Sequence, residues 1–228
     1  MMRFLGLALA STLVLATLAT SPARACENGV ERRLQETVVA VARAEQLVDD
    51  GKPLLAAQTV LNTYPDLKRF ALGRRPLTDR ALRVMARAVT RTGGSLDAGH
   101  RFPGATEQQR ADNLAWAQRV LEGFVARDRK DAVAETDLAE MLARRPDARG
   151  RALRILTRLA QEDRVASEHG YAALAQLHRD AGEGKRALFA HPLRALHTGE
   201  AALAEARCRR LAVDEAVCGG SDPNRPVI

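Results

Sequence analysis

Aromatic side chains are scarce in this chain: Phe, Trp and Tyr make up 4% of its 228 residues, with a single Trp. Alternating β-branched runs are absent as well, and the connections between apolar segments are short. Together these exclude a β-sandwich or barrel and leave an all-α chain of about four helical hairpins. No apolar run after the first twenty residues is long enough to cross a bilayer, so no transmembrane segment is expected. Lysine is nearly missing: only Lys52, Lys68, Lys130 and Lys185 accompany the many arginines. Cysteine is limited to Cys26, Cys208 and Cys218.

Signatures of chemistry are missing too. The five histidines, His100, His169, His178, His191 and His197, form no HExxH pair and no Cys/His cluster of zinc spacing, so no metal is expected. Gly182-Glu183-Gly184-Lys185 superficially resembles a phosphate loop. However, Arg179 stands where that motif has its first glycine, and Arg186 follows the lysine where Ser or Thr belongs. Gly93-Gly94-Ser95-Leu96-Asp97 fails as a nucleophile elbow, because Asp97 occupies the second glycine position. Asp49-Asp50 ends a helix and reads as a solvated terminus, not an acid/base pair. The chain therefore reads as a non-enzyme without cofactors.

What is present begins with an export signal. Arg3 precedes an almost wholly apolar stretch from Phe4 to Ala19, Ser21-Pro22 ends it, and Ala23-Arg24-Ala25 gives the small-x-small cleavage pattern. Residues 1–25 are expected to be removed, leaving 26–215 as a helical domain and 216–228 as a loose tail. The mature chain would lie in the periplasm or cell envelope of a bacterium. Cys26 would then be the first mature residue, which keeps open an envelope lipoprotein scaffold anchored to the membrane through that cysteine. Arg24 is a bulky charge where lipoprotein processing favours a small residue. Cys208 and Cys218 are close enough in sequence to close a short disulfide loop, with a clasp from Cys26 to that pair as the alternative. Formal charge is +7, and losing Arg3 and Arg24 leaves +5. That mildly basic balance, with export, argues against a nucleic-acid partner.

Helices are expected over 29–50, 54–63, 79–91, from 107 through Phe124, and over 131–143, 151–161, 167–181, 183–189 and 198–211, with a short turn of helix near 66–72. Leu34, Val38, Val41 and Val48 share one face of the first. Leu55, Ala56, Val60 and Leu61 face inward in the second. Leu82, Met85, Ala86 and Val89 do so in the third, where Thr78 is the expected N-cap. Thr106 is the expected cap of the helix carrying Leu114, Trp116, Ala117, Val120, Leu121 and Phe124. A turn is expected at 181–184.

One pattern recurs. Tyr171, Leu174, Ala175 and His178 are followed by Gly182 at a turn and by Ala187 and His191 in the next run. The same spacings return at Ala44, Leu47, Gly51, Ala56 and Val60, in part at Ala86, Val89 and Gly93, and again at Leu138, Ala139, Leu142 and Pro146. This resembles a degenerate tetratricopeptide repeat. The resemblance implies an α-solenoid in which small residues at Ala44, Ala86, Ala139 and Ala175 let neighbouring helices approach. These alanines are not evenly spaced, so an irregular helical bundle is the alternative fold.

The resemblance further implies a concave face that binds a protein or peptide. The face would carry Arg80, Arg83, Arg87, Thr90 and Arg91, then Glu140 and Arg144, then His169, Gln176, Arg179 and Asp180. Arg80, Arg83, Arg87 and Arg91 share one side of a helix by spacing alone. They would suit an acidic partner through bidentate donation, or would simply be a solvated face.

Overall fold

The computed structural model describes the backbone of residues 23–96, 101–184, 193–212 and 217–218, and the side chains of 29–96, 101–181, 199–212 and 217–218. The residues up to Pro22, where the export signal is expected, His100, the 185–192 stretch with Ala187 and His191, and the tail from Gly219 lie outside the described residues. So do the side chains of Cys26 and His197.

Eight α-helices form the described chain: α1 (Ala23–Asp49), α2 (Pro53–Thr63), α3 (Pro76–Arg91), α4 (Glu107–Arg127), α5 (Ala132–Ala143), α6 (Arg149–Gln161), α7 (Glu168–Gly184) and α8 (Leu193–Leu211). No strand occurs among the described residues. Contacts divide the chain after Val39. The described part of the first unit is the opening length of α1. The second unit, from Ala40, holds the rest.

Local chemistry sets the helix ends. Pro53 and Pro76 open α2 and α3 at the first helical turn, where the missing N–H costs nothing and the fixed φ is already helical. Pro76 moves the start of α3 upstream, so Arg75 is the N-cap. Thr78, expected there, instead lies buried in the first turn. α4 opens on a reciprocal capping box. Thr106 Oγ1 accepts from the Gln109 N–H (3.2 Å), and Gln109 Oε1 accepts from the Thr106 N–H (3.1 Å). Asp131 caps α5 by accepting from the Ala134 N–H (2.9 Å).

Within the second unit each helix from α2 onward packs on the next, and α3 packs on α5 and α5 on α7. The two central helices are buried almost all round. In α3 these are Ala81, Leu82, Val84, Met85, Ala86, Ala88 and Val89; in α5, Ala134, Leu138, Ala139, Met141 and Leu142. Each large apolar side chain fully buried this way contributes about 1.5–3 kcal/mol. Ala44, Ala86, Ala139 and Ala175 are each 0% exposed, one in each of α1, α3, α5 and α7. The α5–α7 approach also depends on Gly170, where a Cβ would stand 2.6 Å from Thr136 Cγ2 and 2.8 Å from Val165 Cγ1.

Three further expectations are corrected. Of the α1 stripe, Val41 and Val48 are buried but Leu34 and Val38 are exposed. The latter two belong to the first unit, whose described part is one helical segment with nothing of its own to pack against. In α2, Leu55 is exposed and Ala57 takes its place inside, because the helix turns its Ala56/Ala57/Val60/Leu61 side to the core. The turn expected at 181–184 is helical instead: α7 continues through Gly184. Glycine lowers helix propensity by about 1 kcal/mol without ending a helix that packing sustains. The helix expected over 183–189 otherwise lies outside the described residues.

The loop between α3 and α4 is anchored, not loose. Phe102 is buried edge-on to Trp116, with ring centroids 5.0 Å apart at 79°. Asn113, buried in α4, donates from Nδ2 to the carbonyls of Gly94 (3.0 Å) and Pro103 (2.8 Å) and so ties both ends of the loop. Gly94 itself has φ +84°, and a Cβ there would collide with the Arg110 backbone carbonyl. At the other end of the chain, Cys208 and Cys218 are joined in a disulfide, with Cα atoms 5.6 Å apart.

Candidate functional site

The arginine row of α3 is built by spacing: residues 80, 83, 87 and 91 repeat at three and four positions and stay on one side of the helix. Their guanidinium groups meet this chain's own carboxylates. Arg80 pairs bidentately with Glu45 of α1, from Nε at 2.8 Å and Nη2 at 2.5 Å. Arg83 donates from Nε to Asp137 Oδ2 of α5 (2.8 Å) and lies 3.4 Å from Asp131. Arg87 reaches Asp49 of α1 (2.6 Å) with Nη2 and Asp137 Oδ1 (3.2 Å) with Nε. Arg91 donates to the Val48 carbonyl at the end of α1 and sits 3.8 Å from Glu140 of α5. There its charge also complements the negative end of the α1 helix dipole.

Burial deepens along this row. The arginine side chains are 46%, 24%, 14% and 5% exposed in order from Arg80 to Arg91. Thr90, also buried, bonds back to the Ala86 carbonyl (2.9 Å). Asp137, 2% exposed, is the hub. Burial pushes its carboxyl up from the ordinary value, against the downward pull of Arg87 and Arg83. Burial works against the Arg87 charge, yet Asp137, Asp49 and Glu140 together hold that guanidinium above its ordinary value. Glu140 accepts in turn from Ser167 Oγ, and Ser167 Oγ accepts from the Gly170 N–H (3.0 Å), which carries the polar seam to α7. Four guanidinium groups thus face five carboxylates, Glu45, Asp49, Asp131, Asp137 and Glu140. The row offers no positive surplus to an acidic ligand.

The remaining residues of the implied face are scattered. Arg144 caps the end of α5 and is exposed. His169 lies 3.0 Å from the Glu168 carboxylate, and the hydrogen bond from His169 holds Glu168 below the ordinary carboxylate value. Arg179 grips Gln176 Oε1 with Nε (3.2 Å) and Nη2 (2.7 Å), and also pairs with Glu205 of α8. Gln176 donates to Asp180 (2.6 Å), which Arg149 approaches at 3.3 Å. The structure thus brings Arg80, Arg83, Arg87 and Arg91 into one network and Gln176, Arg179 and Asp180 into another.

Sequence reasoning placed Glu140 on the arginines' face but missed Glu45, Asp49, Asp131 and Asp137 as partners of the row. A signal was available: Asp137 and Glu140 stand three apart among the inward residues Ala134, Leu138 and Met141, a spacing that can face arginines four apart on a neighbouring helix.

A groove of about 340 Å³ runs between α4, α5 and α6, lined by Glu122, Val125, Ala126, Arg129, Glu135, Leu138 and Arg151. Its acids are spoken for. Glu122 accepts from Arg151 (2.7 Å) and Gln118 (3.1 Å), and Glu135 accepts from Arg158 (2.6 Å). Burial presses the Glu122 carboxyl upward, but the bonds from Arg151 and Gln118 hold it below its ordinary value. No pairing of nucleophile and base is formed by these side chains. Among the described residues, no group of three or more His, Cys, Asp and Glu could hold a metal ion, and no helix is long and apolar enough to cross a membrane. No protein-family model, curated protein or solved structure matches the chain.

Proposed function

We propose that the chain is a non-catalytic helical-repeat module that binds a protein or peptide in an exported compartment, the bacterial periplasm or envelope, with its hairpins stacked in the manner of tetratricopeptide repeats. The observation that carries the reading is the alanine set. Ala44, Ala86, Ala139 and Ala175 fall one in each of α1, α3, α5 and α7, and all four are fully buried. The packing of α3 on α5 and of α5 on α7, with α4 and α6 each packed between their neighbours in sequence, supports such a stack. The Cys208–Cys218 disulfide supports an oxidising compartment.

In this reading the odd-numbered helices form the ligand face. The arginine row is its rigid floor, and recognition falls to groups beside it, such as Arg144, His169 and Gln176. Because the row is charge-balanced, the partner need not be acidic. The test is site-specific photo-crosslinking in the full chain, with the crosslinker at position 144 or 176 and, as controls, at Ala126 of α4 and Arg154 of α6. The expected result is one partner captured from 144 and 176 and not from the controls. Equal capture from all four positions, or capture only from 126 and 154, would overturn the odd-helix face.

A further inference from the structure

A recess of about 260 Å³ opens beside the short 3₁₀ turn Leu67–Arg69, away from the arginine row, and is lined by Pro65, Asp66, Lys68, Arg69, Arg101 and Phe102. Its walls are held firmly. Leu67 is fully buried and pins the turn, while Phe102 is buried against Trp116 and pins the loop that carries Arg101. Lys68 is fixed between them. Its ammonium sits 3.9 Å from the centroid of the Phe102 ring and donates to Asn113 Oδ1 (3.3 Å). Asn113 uses its amide nitrogen to tie the loop, which leaves its oxygen turned toward Lys68. Both groups around the ammonium are neutral. Burial lowers the Lys68 ammonium from its ordinary value against an upward pull from Asp112. Arg69 and Arg101 make no ion pair among the described residues.

Three cations therefore line one small recess against Asp66, with Asp112 acting on Lys68 from beside it, which leaves a local surplus of one positive charge among the described residues. Arg83, Arg87 and Arg91, by contrast, are each held by carboxylates of their own chain. We propose that this recess binds a small doubly negative anion of the phosphate class, either free phosphate or a phosphate monoester. The guanidinium groups of Arg69 and Arg101 supply forked donors to its oxygens, and Lys68 supplies a point charge held in place by Phe102 and Asn113. The recess is smaller than the roughly 300–1,000 Å³ of sites for larger organic ligands, which suits a compact anion. This inference does not depend on the peptide-binding reading, since the recess lies on the α2–α3 and α3–α4 connections.

The test is calorimetric titration of the full chain at low ionic strength with inorganic phosphate and, separately, with glycerol 3-phosphate. Saturable binding of either probe is expected, with tighter binding of one identifying free phosphate or the ester as the better ligand. Lys68→Gln and Arg101→Gln should each weaken it by about tenfold or more, since each removes a charged hydrogen-bond donor. Arg154→Gln on α6 should leave it unchanged. Thermal unfolding of each variant checks that it is folded, and Arg69→Gln on the exposed turn serves should either other variant unfold. No saturable binding of either probe, or binding by folded Lys68→Gln, Arg101→Gln or Arg69→Gln equal to the unsubstituted protein, would overturn the proposal.

Discussion

Replacing Asp137 by Asn removes a charge from the centre of the fold while keeping the side chain's shape. No cavity opens, so the loss reports the ion network alone. Asp137 is almost wholly buried and holds Arg83 at 2.8 Å and Arg87 at 3.2 Å. Breaking a buried pair by removing one partner costs about 3–5 kcal/mol, because the other charge is left without compensation. Here the two arginines keep secondary partners, Asp131 at 3.4 Å and Asp49 at 2.6 Å, and remain partly hydrated. The expected cost is therefore near the lower end, about 3 kcal/mol. With a urea m value of about 3 kcal/mol/M, the unfolding midpoint should fall by about 1 M. Arg80→Gln is the internal comparison. Its pair with Glu45 lies at the exposed end of the row, and such pairs are worth about 1 kcal/mol or less. Adding Arg83→Gln to Asp137→Asn should cost less than Arg83→Gln alone, since the two share one interaction. A midpoint loss for Asp137→Asn no larger than that for Arg80→Gln would refute the view that the arginine row holds the helices together.

Two further substitutions follow from the packing. Gly170→Ala places a methyl against the stiff β-branched Thr136 and Val165, so overpacking should outweigh the gain in helix propensity and destabilise by about 1–2 kcal/mol. Gly150→Ala near the start of α6 meets only the end of Arg154, at 3.8 Å, and should stabilise by up to about 1 kcal/mol; urea unfolding of both would expose a failure if their signs agree. Reducing the Cys208–Cys218 disulfide, which closes a separation of 10 residues, should cost about 2–3 kcal/mol at most. The loss should be read as a fall in thermal midpoint with reductant that is absent in Cys218→Ser.

Periodicity made the central helices legible. Leu82, Met85, Ala86 and Val89 in α3 are buried where the spacing places them, because a helix enclosed by neighbours has no free side to misassign. At the periphery the same rule misled. Leu34, Val38 and Leu55 are apolar and correctly spaced yet exposed, since spacing specifies a face and not whether another helix covers it. The α4 cap was visible at Thr106. The α3 cap was not, because Pro76 competed with Thr78 and won through its preset φ. The arginine row was equally visible as a row, but spacing along α3 says nothing about what lies opposite. Glu45 of α1, within the stretch between Val41 and Val48, is the partner of Arg80. The Lys68 recess escaped altogether, as its three cations come from two separate connections that only folding brings together.

The central claim is that Arg83, Arg87 and Arg91 are structural and engaged within the fold. Nitrogen-15 spectra of the arginine Nε–H groups, recorded with hydrogen exchange on the full chain, test it most directly. The account predicts distinct, slowly exchanging signals for Arg83, Arg87 and Arg91, with slower exchange toward Arg91, and a fast-exchanging signal for Arg154. Arg83, Arg87 and Arg91 exchanging as fast as Arg154 would contradict it.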